Sequence, residues 1–264
     1  MEAVRVGVFG AGGRMGAEVC RTIAGDPAFE LVAGVDPFHA GRSVLELTGV
    51  GRSDLNFGAG PDTFAEAGVG VAIDFTHHDA ALANLRWCAA NGVHAVVGTT
   101  GFSADDLDEL RDAFTTSNCV IAPNFAIGAV LMMRFAELAA PYFETAEIIE
   151  FHHDAKIDAP SGTAMATVQR MAVVKASWAE DPTKKELLAG ARGGRGPADI
   201  RVHAVRMRGM VAHQEVILGT TGQTLVIRHD TTDRTSFMPG VLLAAKRVGE
   251  HPGLTLGLDA LLDL

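Results

Sequence analysis

Cysteine is scarce: Cys20, Cys88 and Cys119 are the only three in 264 residues, odd in number and without CxxC spacing. A disulfide scaffold is excluded, and the apolar context of each predicts buried free thiols. That usage fits a reducing compartment, so a cytoplasmic protein is expected. Basic residues are also outnumbered, 22 Lys and Arg against 32 Asp and Glu, for a formal charge of −10. Such a field disfavours nucleic acid and anionic membrane as partners, because phosphate binding needs a basic face. Apolar runs such as 126–133 fall well short of the ~20 residues that span a bilayer. Residues 4–9 run straight into a glycine turn, with no basic leader or cleavage site. No G-x-S-x-G elbow occurs, which leaves a hydrolase without its nucleophile. What is present, 48% hydrophobic and 20% charged residues, is ordinary globular composition with length for two modest domains.

Strand and helix alternate through the first half. Residues 4–9 read as a buried strand, Arg14 to about Ala24 as a helix stopped by Gly25-Asp26-Pro27, and residues 29–35 as a second strand. Residues 38–60 are glycine-rich and polar, and read as loop with one helical turn. Strands are expected at 69–75, 93–97 and 120–122, with helices at 79–91 and after Ser103, where Asp106 completes a capping pattern. Each strand is apolar on both faces, which signals a parallel sheet covered by helices on both sides. The fold class expected is α/β, a Rossmann-like doubly wound sheet.

After Asn124 the pattern changes. A long apolar helix (127–142), a strand of mixed polarity (147–152) and a helix from Ser161 lead to 176–198, which reads as a mobile loop. Three strand candidates at 200–208, 213–218 and 224–229 suggest a hairpin or meander, and a helix is expected at 237–248. The expected division is a dinucleotide-binding domain of residues 1–124 plus 235–264. Residues 125–234 would form a second α+β domain with a mixed or antiparallel sheet.

A strand, then Gly10-Ala11-Gly12-Gly13-Arg14-Met15-Gly16, then a helix is the context a phosphate-binding turn requires. Glycines let the backbone turn tightly while N–H groups at the helix start face the anion. The spacing of Gly10, Gly13 and Gly16 is G-x-x-G-x-x-G, with Met15 where the usual pattern has its third glycine. Asp36 closes the second strand 20 residues after Gly16, where an acid can accept from a ribose 2′-hydroxyl. Asp36 suggests NAD, but Arg14, His39 and Arg42 could accept NADP, and Arg14 could equally be a solvated surface group. Phe75 and the segment Gly98-Thr99-Thr100-Gly101 end two further strands, the edge at which open α/β sheets bind ligands.

The densest chemistry lies in residues 150–164, EFHHDAKIDAPSGTA. His152 and His153, adjacent at a strand end, point to opposite sides, so one can face a cleft together with Lys156. Pro160 stiffens the entry to a helix whose first turn, Ser161-Gly162-Thr163, offers N–H groups and hydroxyls to a carboxylate. His152, His153, Asp154 and Asp158 are possible zinc ligands, yet neighbouring histidines rarely chelate one ion and no HExxH or Cys–His spacing accompanies them. No metal is expected. Arg192, Arg195, Arg201, Arg206 and Arg208 form a second concentration of charge, read as solvated or subunit-contact groups.

GAGGRMG at 10–16, GTTG at 98–101, APNFAIG at 122–128, E-x-H-H-x-x-K-x-D-x-P-S-G-T-A at 150–164 and D-R-x-x-F-x-x-G at 233–240 together resemble the 4-hydroxy-tetrahydrodipicolinate (dihydrodipicolinate) reductase family over the whole chain. The resemblance implies reduction of a cyclic imine dicarboxylate with NADH or NADPH. Hydride reaches ring C4 and water is lost, on the route to diaminopimelate and lysine. By matching position it implies His152 as acid/base and Lys156 as substrate donor, with His153, Ser161, Gly162 and Thr163 holding the carboxylates. Gly10, Arg14, Met15, Asp36, Phe75, Gly98, Thr100, Ala122, Asn124, Phe125, Arg234 and Phe237 would surround the cofactor, in turns that also contain Gly13, Gly16, Thr99 and Pro123. A homotetramer is implied as well, with residues 125–234 as the domain for substrate binding and oligomerisation. Pro37 follows Asp36 where some relatives carry Arg, which removes one 2′-phosphate partner and tilts the expectation to NADH. The alternatives are an oxidoreductase of the same architecture acting on another small amino or keto acid, or a non-catalytic nucleotide sensor. The first should lack the S-G-T-A turn after H-H-x-x-K, and the second should have lost the His/Lys cluster.

Overall fold

The computed structural model describes residues 2–262; residues 1, 263 and 264, the ends of the first expected domain, lie outside them. Two compact units form, one from the chain up to Ala126 together with the segment from Arg234 onward, the other from Ile127–Asp233. Phe125, Ala126 and Arg234 therefore pack with the first unit.

In chain order the first unit runs β1 (Val4–Phe9), α1 (Arg14–Gly25), β2 (Phe29–Val35), α2 (Val44–Thr48), β3 (Phe57–Gly58), α3 (Asp62–Glu66), β4 (Val71–Asp74), α4 (His78–Ala90), β5 (His94–Val97), α5 (Ala104–Ala113) and β6 (Cys119–Ile121). The second unit holds α6 (Ile127–Ala139), β7 (Thr145–His152), α7 (Gly162–Val174), β8 (Gly194–Arg195), β9 (Arg201–Arg206), β10 (Ala212–Thr220) and β11 (Gln223–Thr231). The chain then returns to the first unit with α8 (Met238–Arg247) and β12 (Leu254–Leu256).

The first sheet has the order β12-β6-β5-β4-β1-β2-β3, and every pairing is parallel. β1 lies inside it, and Val6, Val8 and Phe9 are almost fully buried, as a strand covered on both faces requires. α1 turns Val19, Cys20 and Ile23 inward at helical spacing. Ser103 and Asp106 form a reciprocal capping box at the start of α5. The segment 38–60 is more ordered than the expected loop, because α2 and β3 occupy it and β3 extends the sheet beyond β2. At two residues β3 is too short to show a period, and the same holds for three-residue β12.

The second sheet is mixed, with the order β11-β10-β7-β9-β8. β10 and β11 form the expected hairpin through Thr221-Gly222, with Gly222 at φ +83°. A meander is not formed: β9 lies parallel to β7 on the side away from β10. β7 is the central strand, so it takes both neighbours and β9 cannot pair with the strand that follows it. α6 packs on β11 and α7, and α7 on β7. The 176–198 segment, expected to be a mobile loop, is tied to the sheet. Asp181 pairs with Arg201 and Arg192, Arg192 pairs with Glu147, and Ala179 donates its N–H to the Glu144 carbonyl. All three cysteines are buried and free, and burial pushes the Cys20 thiol up to about 12 and the other two upward as well.

Candidate active site

The glycine turn is built as its spacing suggests. Gly10 closes β1 in the left-handed region at φ +64°, a conformation that favours glycine. Its carbonyl accepts from the Gly13 N–H, and α1 starts at Arg14. A Cβ on Gly16 would sit 2.1 Å from the Gly10 carbonyl oxygen, so Gly16, beside Met15, supplies the close helix–turn approach usually made by the third glycine. No side chain caps α1 and no acid lies in its first turn, which leaves its N-terminal N–H groups available to an anion. Arg14 is exposed above this turn.

Asp36 is buried at the end of β2. One of its oxygens accepts from the Gly12 N–H (3.0 Å) and the other from the Phe38 N–H (3.1 Å), while His39 Nδ1 stands 3.1 Å away. A carboxylate has about four acceptor sites, so two remain for ribose hydroxyls. These residues fit a nicotinamide dinucleotide: a tight glycine turn, an uncapped helix start and a part-satisfied acid at the end of the next strand.

Further along the same sheet edge, Phe75 is half-buried with its ring 5.6 Å from that of Phe125. Gly98 is pressed against Phe75, since a Cβ there would lie 2.0 Å from the ring. Thr99 is buried and its hydroxyl donates to the Thr76 carbonyl at 3.0 Å, whereas Thr100 is exposed. Ala122 is buried, Pro123 exposed, and Asn124 Oδ1 accepts from the Ala126 N–H. Arg234 is exposed and Phe237 half-buried, at the two ends of a 3-10 turn leading into α8. Asp74, which the sequence reading did not single out, organises this edge. It is 1% exposed and accepts from the Thr76 N–H and hydroxyl and from the Asn84 amide.

In the second unit, the alternation of β7 places Ile148, Glu150 and His152 on one face. His152 is half-buried and donates from Nδ1 to Glu150 at 2.5 Å. Burial pushes its imidazole below the ordinary value, and this outweighs the opposing pull of Glu150. His153 lies beyond the strand and is exposed. Lys156 Nζ is paired with Asp158 at 2.7 and 2.8 Å, so its ammonium already has a carboxylate beside it. Ser161 is the buried N-cap of α7, its hydroxyl accepting from the Ala164 N–H and its own N–H donating to Glu150. Gly162 is exposed and Thr163 half-buried in the first turn of α7, which carries no acid. His152, Lys156 and the Ser161–Thr163 turn thus belong to one loop-and-helix segment running on from β7.

Arg206 corrects an expectation. It is not a solvated group: both guanidinium arms reach Glu150 at 2.7 Å, in a bidentate pair on a fully buried carboxylate. Its place on β9, parallel to β7, sets this contact, and no local spacing announces a pair 56 residues apart. The other arginines are paired with acids as well, Arg192 and Arg201 with Asp181, Arg195 with Asp199 and Arg208 with Asp154. Among the described residues no group of three or more His, Cys, Asp or Glu could hold a metal ion, and no helix is long and apolar enough to cross a membrane.

Family models described as dihydrodipicolinate reductase, N-terminus and C-terminus, match residues 4–125 and 128–262. The chain belongs to the dihydrodipicolinate reductase family. A curated relative from Nocardia farcinica, named 4-hydroxy-tetrahydrodipicolinate reductase, is 48% identical over 268 residues, covering 99% of each chain. One of the same name from Streptomyces coelicolor is 44% identical over 269 residues, covering 100% of each. Among solved structures, a dipicolinate-bound dihydrodipicolinate reductase from Paenisporosarcina sp. TG-14 matches at TM-score 0.87 and 38% identity, over 98% of this chain and 99% of that one. An amine dehydrogenase from Mycobacterium smegmatis, at TM-score 0.64 and 14% identity, shares the fold alone; the match covers 96% of this chain and 95% of that one.

Proposed function

We propose that the protein is an NAD(P)H-dependent 4-hydroxy-tetrahydrodipicolinate reductase, working in diaminopimelate and lysine biosynthesis in the cytoplasm. The observation that carries this reading is the grouping of His152, Lys156 and the Ser161–Thr163 helix start in a chain of this family. A dicarboxylate approaching a protein of net charge −10 needs concentrated local donors, and this segment offers them. The first turn of α7 receives one carboxylate through N–H groups and the Thr163 hydroxyl. Lys156 and His153 serve the other, Lys156 exchanging Asp158 for the substrate. The incoming dianion favours the protonated form of His152, offsetting the effect of burial.

The nicotinamide, when bound, supplies the hydride that reaches ring C4. His152 acts on the proton side: as a proton leaves C5, beside the imine carbon, the C4 hydroxyl takes up a proton and departs as water. C4 then receives the hydride and C5 a proton from His152, so that one hydride and one proton are consumed and one water is released. The turn from Gly10 to Gly16 would hold the pyrophosphate and Asp36 the ribose. Phe75, Gly98, Thr99, Thr100, Ala122, Pro123, Asn124, Phe125, Arg234 and Phe237 would form the rest of the cofactor surface. NADH is the favoured donor, because Asp36 offers a carboxylate and Pro37 no donor to a 2′-phosphate.

The unit from Ile127 to Asp233 would bind substrate and assemble four copies. The nine-residue edge strand β11, with Val226 50% exposed, supports assembly. Nucleotide oxidation with enzymatically generated substrate, against aspartate semialdehyde or pyruvate alone, tests the activity. Oxidation with either alone, or none with the full mixture, overturns it. Initial rates at limiting NADH and NADPH test the cofactor tilt, and a large NADPH advantage rejects it. Light scattering of the purified protein tests the tetramer.

A further inference from the structure

Glu150 stands at a β7 position whose neighbours on the same face call for an apolar residue, and it is 0% exposed. A buried carboxylate persists only when its lone pairs are engaged. Here all four are. Oε1 accepts from Arg206 at 2.7 Å and from the Ser161 N–H at 3.1 Å, and Oε2 accepts from Arg206 at 2.7 Å and from His152 Nδ1 at 2.5 Å. Arg206 also donates to the Asp158 carbonyl at 2.7 Å, gripping the loop that carries Lys156. One carboxylate therefore ends on the imidazole, on the first residue of the helix-start turn and, through Arg206, on the intervening loop.

We infer that Glu150, clamped by Arg206, is a positioning residue for the reduction: it holds His152 with Nδ1 protonated and Nε2 turned to the substrate, and it fixes the carboxylate-binding turn to the same anchor. This inference rests on the reading of His152 as the acid/base. The tautomer follows from the acceptor, since an ionised carboxylate at Nδ1 demands a donor there and leaves Nε2 to take up and release the proton. Burial would raise the Glu150 carboxyl, but the bonds from Arg206 and His152 hold it below its ordinary value and therefore ionised. The charged groups facing His152 are Glu150 on β7, Arg206 on β9 and Lys156 with its partner Asp158 in the loop; β10 presents Ala212 opposite it. Of these, Glu150 pulls the imidazole towards protonation, against burial, Lys156 and Arg206.

Glu150→Gln keeps the shape and removes the charge. The readouts are the His152 ring midpoint by NMR titration in the nucleotide-free protein, the pH profile of kcat and the affinity for dipicolinate. The midpoint and the matching limb of kcat are expected to fall together by about one pH unit, a roughly tenfold loss of protonated imidazole above the midpoint. Dipicolinate binding is expected to weaken as the Ser161 turn loosens. Because the single variant leaves the half-buried Arg206 without its carboxylate, Glu150→Gln with Arg206→Met provides a charge-free version, in which the midpoint still falls. A folded variant with an unmoved midpoint and an unmoved kcat limb overturns the positioning role. Full turnover in His152→Gln would instead overturn the acid/base reading on which it rests.

Discussion

Gly98→Ala puts a methyl carbon where the Phe75 ring already is. The nearest ring atoms lie 2.0, 2.5 and 2.6 Å from the added Cβ, against ~3.5 Å for carbon atoms in contact, an overlap of roughly 1.5 Å. β5 cannot retreat, because it is paired on both sides by β4 and β6. The ring must move instead, and the Phe125 ring stands 5.6 Å from it, centroid to centroid. Overpacking of this kind costs about 1–3 kcal/mol, or roughly 2–12 °C in the melting transition of the unit that holds it. Since Phe75 is proposed to meet the cofactor, nucleotide affinity should fall in parallel.

The assay is a double-mutant cycle on thermal stability and NADH binding, using Gly98→Ala, Phe75→Ala and the pair. The three atoms nearest the added methyl all belong to that ring, so with the ring gone Gly98→Ala should cost much less in the Phe75→Ala background. Equal costs in both backgrounds would refute the steric reasoning. An unchanged nucleotide affinity in Gly98→Ala, with the stability loss present, would remove Phe75 from the cofactor surface.

Lys156→Ala should lower turnover by roughly 10²-fold or more, the scale of losing a charged donor to the reacting ligand, while NADH affinity stays nearly intact; a parallel loss of NADH binding refutes the assignment. Gly16→Ala sets a Cβ 2.1 Å from a backbone oxygen rather than a mobile ring, so it should lower stability and nucleotide binding together, with no rescue by a neighbouring truncation. Asp106 is held down at about 2, chiefly by the Ser103 hydroxyl and N–H and then by His78, and His78 is raised by Asp79 and Asp106. The carboxylate's share of stability is complete above its unfolded value of ~3.9 and lost as pH falls through about 2. The imidazole's share is present below ~6.5 and fades as pH rises through its raised value. Asp106→Ala should therefore lower the melting temperature most between those limits, somewhat less at alkaline pH, and progressively less as pH falls through about 2. A melting difference that grows below pH 4 would contradict this.

Legibility in the sequence followed the range of the interaction. The β1 strand, the Gly10 turn, α1 and the Ser103 capping box are written in contiguous residues, and their periods and caps state the local geometry. The site segment from His152 to Thr163 is contiguous as well, so spacing singled out the histidine pair, Lys156 and the α7 start, while the choice of His152 between the two histidines came from the family resemblance. Elements whose reason for existing lies elsewhere were not legible. β3 and β12 are sheet edges of two and three residues, made strands only by the neighbours they join. The 176–198 segment looked free because the acids and arginines that tie it down are far apart in the chain. The pairing of β9 with β7 was hidden by the adjacency of β9 and β10.

The same logic explains the acids that matter most. Asp36, Asp74 and Glu150 each stand at or near the end of a β-strand, 6%, 1% and 0% exposed, and each accepts from a backbone N–H of a following or neighbouring turn: Gly12 and Phe38, Thr76, and Ser161. In an apolar strand a lone carboxylate reads as an interruption. In the fold it is the acceptor that loop N–H groups, having left the ladder, would otherwise lack. Burial makes each bond harder to replace with water, so the loop is fixed where the strand ends. In both units, then, the proposed ligand-binding turns hang on buried carboxylates rather than on apolar packing. Neutralising such an acid should loosen one turn and leave the sheet standing, and the Glu150 variants examine that separation directly.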